Sequence, residues 1–323
     1  MGALTLAVTG ASGYLGRAVV DHARTCGHQV RALLRDARRA PAAWARDPGV
    51  ELVEGPLERL VPGNLYGVNA VLHLAAAMSG DDAAHERHTL SPTRSLLQAM
   101  AGCEPCPRLV LAGSLSVLGG LREGDTVTEA TPLEAAPQHR DAYARAKLAQ
   151  EALVRAHAEA TGADVAILRI GAIWGPGRLW NGHLGVALGP LLIRTGSGGQ
   201  VPLAHVTRAA HMLVQAAERP WQGVQIAHVL DADLPDRARY IAALRKGGWP
   251  RWVLPLGWPV MRALSVLGRL PGMPGLLRAP VQRARIMPLR YTSHAGWLGN
   301  ARSADFEQLM KVALAAEGTS SHG

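Results

Sequence analysis

The sequence predicts an α/β fold: a doubly wound, mostly parallel sheet covered by helices, followed by a smaller C-terminal lobe. Three observations carry this. Apolar runs of four to seven residues alternate with longer helical patterns through the first two thirds of the chain, the signature of βαβ units. The first apolar run feeds directly into a glycine-rich turn that opens a helix. After Arg169 the periodicity fades, and residues 171–204 hold nine glycines, so a loop-rich lobe is expected there.

Taken in order, strands are expected at 3–9, 28–34, 50–53, 70–74, 108–112 and 164–170. Helical patterns lie between them at about 14–25, 84–101 and 138–160, the last rich in Ala, Glu, Lys and Arg. His205 to Glu218 returns to helix, Val224 to Leu230 reads as one more strand, and Arg237 to Lys246 as a helix. Pro and Gly then punctuate short apolar pieces up to Leu289, and a final helix fits Ser303 to Ala315. The expected division is a core over 1–170, rejoined by 205–230, and a lobe built from 171–204 and 231–323.

The 323 residues carry 34 Lys or Arg against 25 Asp or Glu, a formal charge of +9. The excess is local. Residues 237–302 contain twelve basic residues and no acid, so that segment is +12, and the remaining 22 basic and 25 acidic residues give −3. No zinc-finger, RNP-type or basic-helix pattern accompanies the charge, so nucleic acid is not expected as a partner. Cys26, Cys103 and Cys106 cannot all pair, which points to a reducing compartment. Cys103 and Cys106 form a lone C-x-x-C without the second pair of a structural zinc site. His85 and His88 have no third ligand spaced to meet them and read as a surface patch, so no metal is expected.

No positively charged leader precedes an apolar core at the N-terminus. The longest uncharged run in the apolar C-terminal region, Trp252 to Met261, is ten residues, too short to span a bilayer, and a cytoplasmic protein is expected. Trp258 to Leu270 reads two ways. Arg262 and Arg269 share one face of an apolar helix near Trp249, Trp252 and Trp258, which suits peripheral contact with an anionic membrane or a helix packed over a pocket.

Two features carry chemistry. In the turn Thr9-Gly10-Ala11-Ser12-Gly13-Tyr14-Leu15-Gly16, Gly10 permits the tight turn, Gly13 lets backbone N–H groups approach a pyrophosphate, and Gly16 allows close helix packing. A dinucleotide site of Rossmann type is therefore expected at this turn. Downstream, Tyr143 and Lys147 stand four residues apart on one helix face. A nearby ammonium favours the phenolate, so the phenol can serve as an acid or base near neutrality.

With Val71-Leu72-His73-Leu74-Ala75-Ala76, Ser114, and Leu168-Arg169-Ile170-Gly171-Ala172-Ile173-Trp174-Gly175-Pro176-Gly177, five motifs stand in order. The chain resembles the extended short-chain dehydrogenase/reductase superfamily of NAD(P)-dependent epimerases, dehydratases and reductases. The resemblance implies an enzyme in which Tyr143 exchanges a proton with the substrate oxygen, Lys147 holds the nicotinamide ribose and lowers the Tyr143 pKa, and Ser114 hydrogen-bonds the reacting carbonyl or hydroxyl. It also implies that the cofactor lies against Gly10, Ser12, Gly13, Tyr14, Leu15, Gly16, Leu57, Leu74, Ala75, Ala76, Ile170 and Ile173. Ser116, Trp174 and His183 are the implied substrate contacts, and His73 is structural. The chain departs from the family pattern at Gly55-Pro56-Leu57, where Gly-Asp-Leu is common, and at Ile170 and Trp174, where Pro and Tyr are usual.

Arg35 ends the second expected strand, where an arginine accepts a ribose 2′-phosphate and an acid binds the 2′-hydroxyl. It resembles the arginine of NADP-using reductases, so NADP(H) is favoured over NAD(H), with Asp36 as the counter-signal. Leu115-Ser116 lacks the acidic pair of the sugar-nucleotide dehydratases. The lobe between Gly175 and His205 is short, about thirty residues, which looks more like the 3β-hydroxysteroid-dehydrogenase-like branch. Oxidation of a secondary alcohol to a ketone, or the reverse, on an apolar, lipid-like or sterol-like molecule is the expected reaction. A sugar-nucleotide epimerase and a non-catalytic cofactor sensor are the alternatives, and a homodimer is left open.

Overall fold

A computed structural model of the chain describes residues 2–196, 198–257, 260, 286–299 and 304–320. β1 (Thr5–Thr9) passes through the glycine turn into α1 (Tyr14–Thr25), followed by β2 (Gln29–Leu34), β3 (Val50–Glu54) and β4 (Ala70–His73). α1 buries Gly16, Val19, Val20 and Ala23, the i, i+3, i+4, i+7 stripe of a helix laid on a sheet. The single helix expected over 84–101 is broken into α2 (Asp82–His85), a π-helical turn at Glu86–Leu90 and α3 (Ser91–Ala101). Pro92 has no N–H for an i→i−4 bond, and the backbone widens just before it.

β5 (Arg108–Ser114) and the short β6 (Thr126–Val127) precede α4 (Ala142–Thr161). Asp141 caps α4, its Oδ1 accepting from Ala144 N at 2.8 Å. β7 (Val165–Ile170) follows, and the buried pair Arg169–Glu151, 2.7 Å apart, ties it to α4. The 171–204 stretch, expected as loops, forms four short strands: β8 (Ala172–Trp174), β9 (Gly185–Leu188), β10 (Leu191–Thr195) and β11 (Leu203–His205). Positive-φ glycines at 175, 177, 185, 189 and 196 interrupt them, keeping each too short to show alternation in sequence. α5 (Val206–Glu218), β12 (Val224–Val229), α6 (Arg237–Arg245), β13 (Trp252–Leu256), β14 (Arg290–Tyr291) and α7 (Phe306–Ser320) complete the described chain.

Seven strands form one parallel sheet in the order β12-β7-β5-β4-β1-β2-β3. The order reverses between β1 and β4. Both faces are covered, so neighbouring residues of one strand enter different cores. Leu6 and Val8 pack with α1 and α5, whereas Ala7 packs with Leu96, Met100 and Val154 of α3 and α4. A separate core joins Trp174, Leu192, Tyr240, Ile241, Leu244, Phe306 and Met310.

β13, β10 and β9 form a small three-stranded sheet. Arg239, in the basic segment, bonds Asp233 at 2.5 Å and Glu307 at 2.6 Å, so acids just outside the segment offset part of its charge. Among the described residues no helix is long and apolar enough to cross a membrane. The Trp258–Leu270 helix expectation falls outside the described residues, apart from Val260, which is exposed.

Candidate active site

The C-terminal ends of β1, β4, β5 and β7 open on one cleft of about 780 Å³, at the point where the strand order reverses. Open α/β sheets bind ligands at this point because the flanking loops diverge there. Gly10 has φ +66°, and a Cβ on it would lie 3.0 Å from Ala75 N, so the turn presses against the end of β4. Thr9 fixes this approach: its Oγ1 accepts from Leu74 N and Ala75 N, both at 3.1 Å. A Cβ at Gly16 would sit 2.2 Å from Gly10 O, so only glycine lets α1 start this close to the turn.

Gly13 caps α1 without a side-chain hydrogen bond, and no acid occupies the first turn. Ser12, Gly13, Tyr14 and Leu15 line the cleft there. The helix end thus offers N–H groups and positive potential to an anion, which fits a dinucleotide pyrophosphate. The Gly175–Gly177 motif folds against the same turn, Tyr14 Oη donating to Pro176 O at 2.9 Å and Arg178 stacking 4.8 Å above the Tyr14 ring.

Arg35, Gly55 and Leu57 lie on the β2 and β3 side of the cleft. Asp36, beside Arg35, does not line it. Its carboxylate caps a short turn and accepts from Arg38 N at 3.0 Å, Nε at 2.9 Å and Nη2 at 3.0 Å, which holds it below the usual carboxylate range. Arg39, four residues after Arg35, also lines the cleft.

Leu74, Ala75, Ala76, Ser114, Ser116, Tyr143, Lys147, Ile170, Ile173 and His183 all line the same cleft. Ser114 ends β5 and accepts from Ser116 N at 3.2 Å. The buried Arg140 pins this loop through Ser116 O at 2.9 Å and Leu118 O at 3.0 Å, and it is itself held by Glu134 at 3.1 Å. Tyr143 is the second residue of α4, one turn before Lys147.

Lys147 is buried; its Nζ donates to Ala112 O at 2.9 Å and Gln150 Oε1 at 2.8 Å, and burial lowers its pKa to about 8. His73 is fully buried. Burial, reinforced by the Lys147 charge, lowers it to about 3, so it is neutral. Thr93 Oγ1 gives its proton to Thr89 O, so His73 Nε2 donates to Thr93 Oγ1 at 2.9 Å. His73 Nδ1 then accepts from Thr9 Oγ1 at 2.7 Å. This network of Thr9, His73, Thr93 and Gln150 supports the two cleft walls; it fits the structural role expected of His73, while Thr93 and Gln150 did not stand out in sequence.

Two expectations fail. Trp174 does not reach the cleft: it is fully buried, its Nε1 donates to Asp231 Oδ2 at 2.7 Å, and it packs against His205, Tyr240 and Phe306. Neighbouring residues of a strand face opposite sides, and in β8 it is Ile173 that takes the cleft side. His85 is buried rather than superficial, with its ring edge-on to Tyr143 at a centroid distance of 6.1 Å. His88 of the same patch does line the cleft, as do Arg87, Arg178 and Met78, none of which stood out in sequence.

Residues 6–229 match the model of the NAD dependent epimerase/dehydratase family. A 3-diazoavenalumate denitrifying reductase of Streptomyces sp is 29% identical over 288 residues, covering 80% of this chain and 89% of that protein. Among solved structures, MoeE5 in complex with UDP-glucose and NAD superposes with a TM-score of 0.71 at 21% identity over 98% of this chain and 99% of that one. The terminal R domain from the myxalamid PKS-NRPS biosynthetic pathway does so with 0.73 at 21% identity, over 99% and 92%. These likenesses show a shared fold. With the glycine turn, the tyrosine and the lysine on one cleft and the family model matched over well more than half its length, the chain belongs to the NAD dependent epimerase/dehydratase family, and is an NAD(P)-dependent enzyme of the short-chain dehydrogenase/reductase type.

Proposed function

We propose that the protein is an NADP(H)-dependent oxidoreductase that interconverts a secondary alcohol and a ketone on an apolar small molecule. The observation that carries this reading is the convergence of Ser114, Tyr143 and Lys147 on the cleft that the glycine turn opens. The nicotinamide, when bound, gives or takes the hydride. Tyr143 donates its phenolic proton to the carbonyl oxygen in reduction and accepts it back in oxidation. Lys147, as a cation, stabilises the phenolate that this leaves. Ser114 holds the same substrate oxygen by its hydroxyl, and Arg140 keeps the Ser114–Leu118 loop in place for it. The 89% span of the denitrifying reductase supports a net reductive role.

NADP(H) is preferred because Arg35 and Arg39 both line the cleft while Asp36 is turned to Arg38. An apolar substrate is supported by Met78, Leu115, Leu118, Leu121 and Val127 in the lining, with Ser116 and His183 as its polar contacts. Purified protein should bind NADPH reversibly and consume it with one or more members of a ketone panel, and Tyr143→Phe should abolish turnover while sparing cofactor binding. Unchanged turnover in that variant removes the mechanism.

A second reading, a sugar-nucleotide epimerase, is favoured by Arg87 and Arg178 on the cleft, neither in an ion pair among the described residues, since guanidinium groups suit a diphosphate. Cofactor that survives dialysis and is not consumed would select it.

A further inference from the structure

The small sheet formed by β9, β10 and β13 has one side in the core and the other open. Leu192 is fully buried, with Val253 beside it, against Tyr240, Ile241 and Leu244. Residues paired across strands point to the same side, so the register defines the other face. Leu191 pairs with Trp252 and with Leu188, and Ile193 pairs with Leu254 and with Val186. Two cross-strand rows of three apolar side chains therefore stand on one face. Trp252 is 54% exposed, Leu188 53% and Leu254 51%. Trp249, in the turn before β13, belongs to the core side instead: it packs with Val253 against that core, its Nε1 donating to Gly189 O at 2.8 Å.

Soluble surfaces seldom align this many large apolar side chains, and such a patch marks a surface with a partner. Its charge indicates which partner. The two stretches that build the sheet, 185–196 and 245–257, contain no Asp or Glu; Arg194 lies on the core side with Leu192, while Arg245, Lys246 and Arg251 are exposed where the chain enters β13. Arg251 lies 4.9 Å over the Trp252 ring, a cation carried on the aromatic that leads the patch. The chain that follows β13 continues the same composition, with no acid between 237 and 302. An apolar face whose own strands carry cations and no acid is complementary to acyl chains beneath anionic head groups, where tryptophan takes the interface and basic side chains the phosphates.

We infer that the outer face of the β9–β10–β13 sheet docks the protein peripherally on an anionic lipid bilayer. The inference stands apart from the assigned reaction, because none of its residues lines the active-site cleft.

The full-length protein is tested by co-sedimentation with vesicles of phosphatidylcholine alone and of equal parts phosphatidylcholine and phosphatidylglycerol, at low and high salt. Expected are binding to the mixed vesicles, weakening with salt, and a blue-shifted tryptophan emission. Trp252→Ser/Leu254→Ser and, independently, Leu188→Ser should each weaken binding, the double variant by about tenfold or more. Lys246→Glu/Arg251→Glu should weaken it and flatten its salt dependence. Tyr66→Ser, at an exposed aromatic in the cofactor half, should bind like the parent protein. These side chains are on the surface, and retained cofactor binding shows that a variant is folded. No binding to mixed vesicles at low salt, or face variants that bind like the parent, overturns the inference. So does a parent dimer that the double variant splits while vesicle binding persists, since the face then belongs to a second copy of the chain.

Discussion

Arg35→Ala isolates the basis of cofactor choice. The side chain directly follows β2, lines the cleft and is solvent-exposed, while Asp36, which could have bound a free 2′-hydroxyl, spends its carboxylate on Arg38. A hydrogen bond to a charged group contributes about 1.5–3 kcal/mol, and exposure to solvent places Arg35 at the lower end, about 1.5 kcal/mol, roughly a tenfold change in Kd. Arg39 also lines the cleft, so removing both should weaken NADP+ by roughly 100-fold if the two contacts add. NAD+ has no 2′-phosphate, and its Kd should stay within about twofold in either variant. Calorimetric titration of parent and variants with both nucleotides, at low and moderate salt, measures this, and the NADP+ advantage should shrink as salt rises. A parent protein that binds NAD+ at least as tightly as NADP+, or an Arg35→Ala variant that loses both equally, refutes the reasoning.

Three further outcomes are expected. Because burial holds Lys147 at about 8, kcat/KM should fall as pH rises through about 8, where the cation is lost. The folded state releases this proton below the unfolded chain's ordinary value of about 10.5, so the parent should gain stability relative to Lys147→Met as pH rises from about 8 to about 10.5, read as the difference in denaturant midpoints; a difference that does not change with pH contradicts the burial. Gly16→Ala should cost about 1–3 kcal/mol of stability and sharply weaken both nucleotides, since its Cβ would meet backbone oxygens of Gly10 and Ala11 at 2.2 and 2.7 Å; nucleotide affinities equal to the parent's argue against the close turn. Trp174→Phe should lower stability by about 1–3 kcal/mol through the lost bond to buried Asp231, and leave KM unchanged; a shifted KM returns Trp174 to the substrate.

The core strands and the two chemical motifs were legible because their signals are local. Parallel strands covered on both faces must be apolar throughout, as Val165 to Leu168 are, and the glycine turn and the Tyr143–Lys147 pair are spacings within one element. What failed was non-local. Trp174 and Ile173 look alike as site candidates in sequence, and the contact of Trp174 with Asp231, 57 residues away, is what sends it to the core. His85 is polar in a charged stretch, yet α4 packs over it and buries it.

The βαβ order, the cofactor turn, the acid–base pair and the placement of the charge excess are all readable from the chain itself, since each is written in periodicity, in glycine or in side-chain spacing along one element. Folding in three dimensions turns Asp36 from the cleft while Arg39 enters it, and sets Arg140 to brace the Ser114 loop. It also brings β9, β10 and β13 into one sheet, although Leu191 and Trp252 are far apart in the chain. Which face of a short strand is buried depends on the partner that covers it, and for these elements the partner lies beyond any local window of sequence.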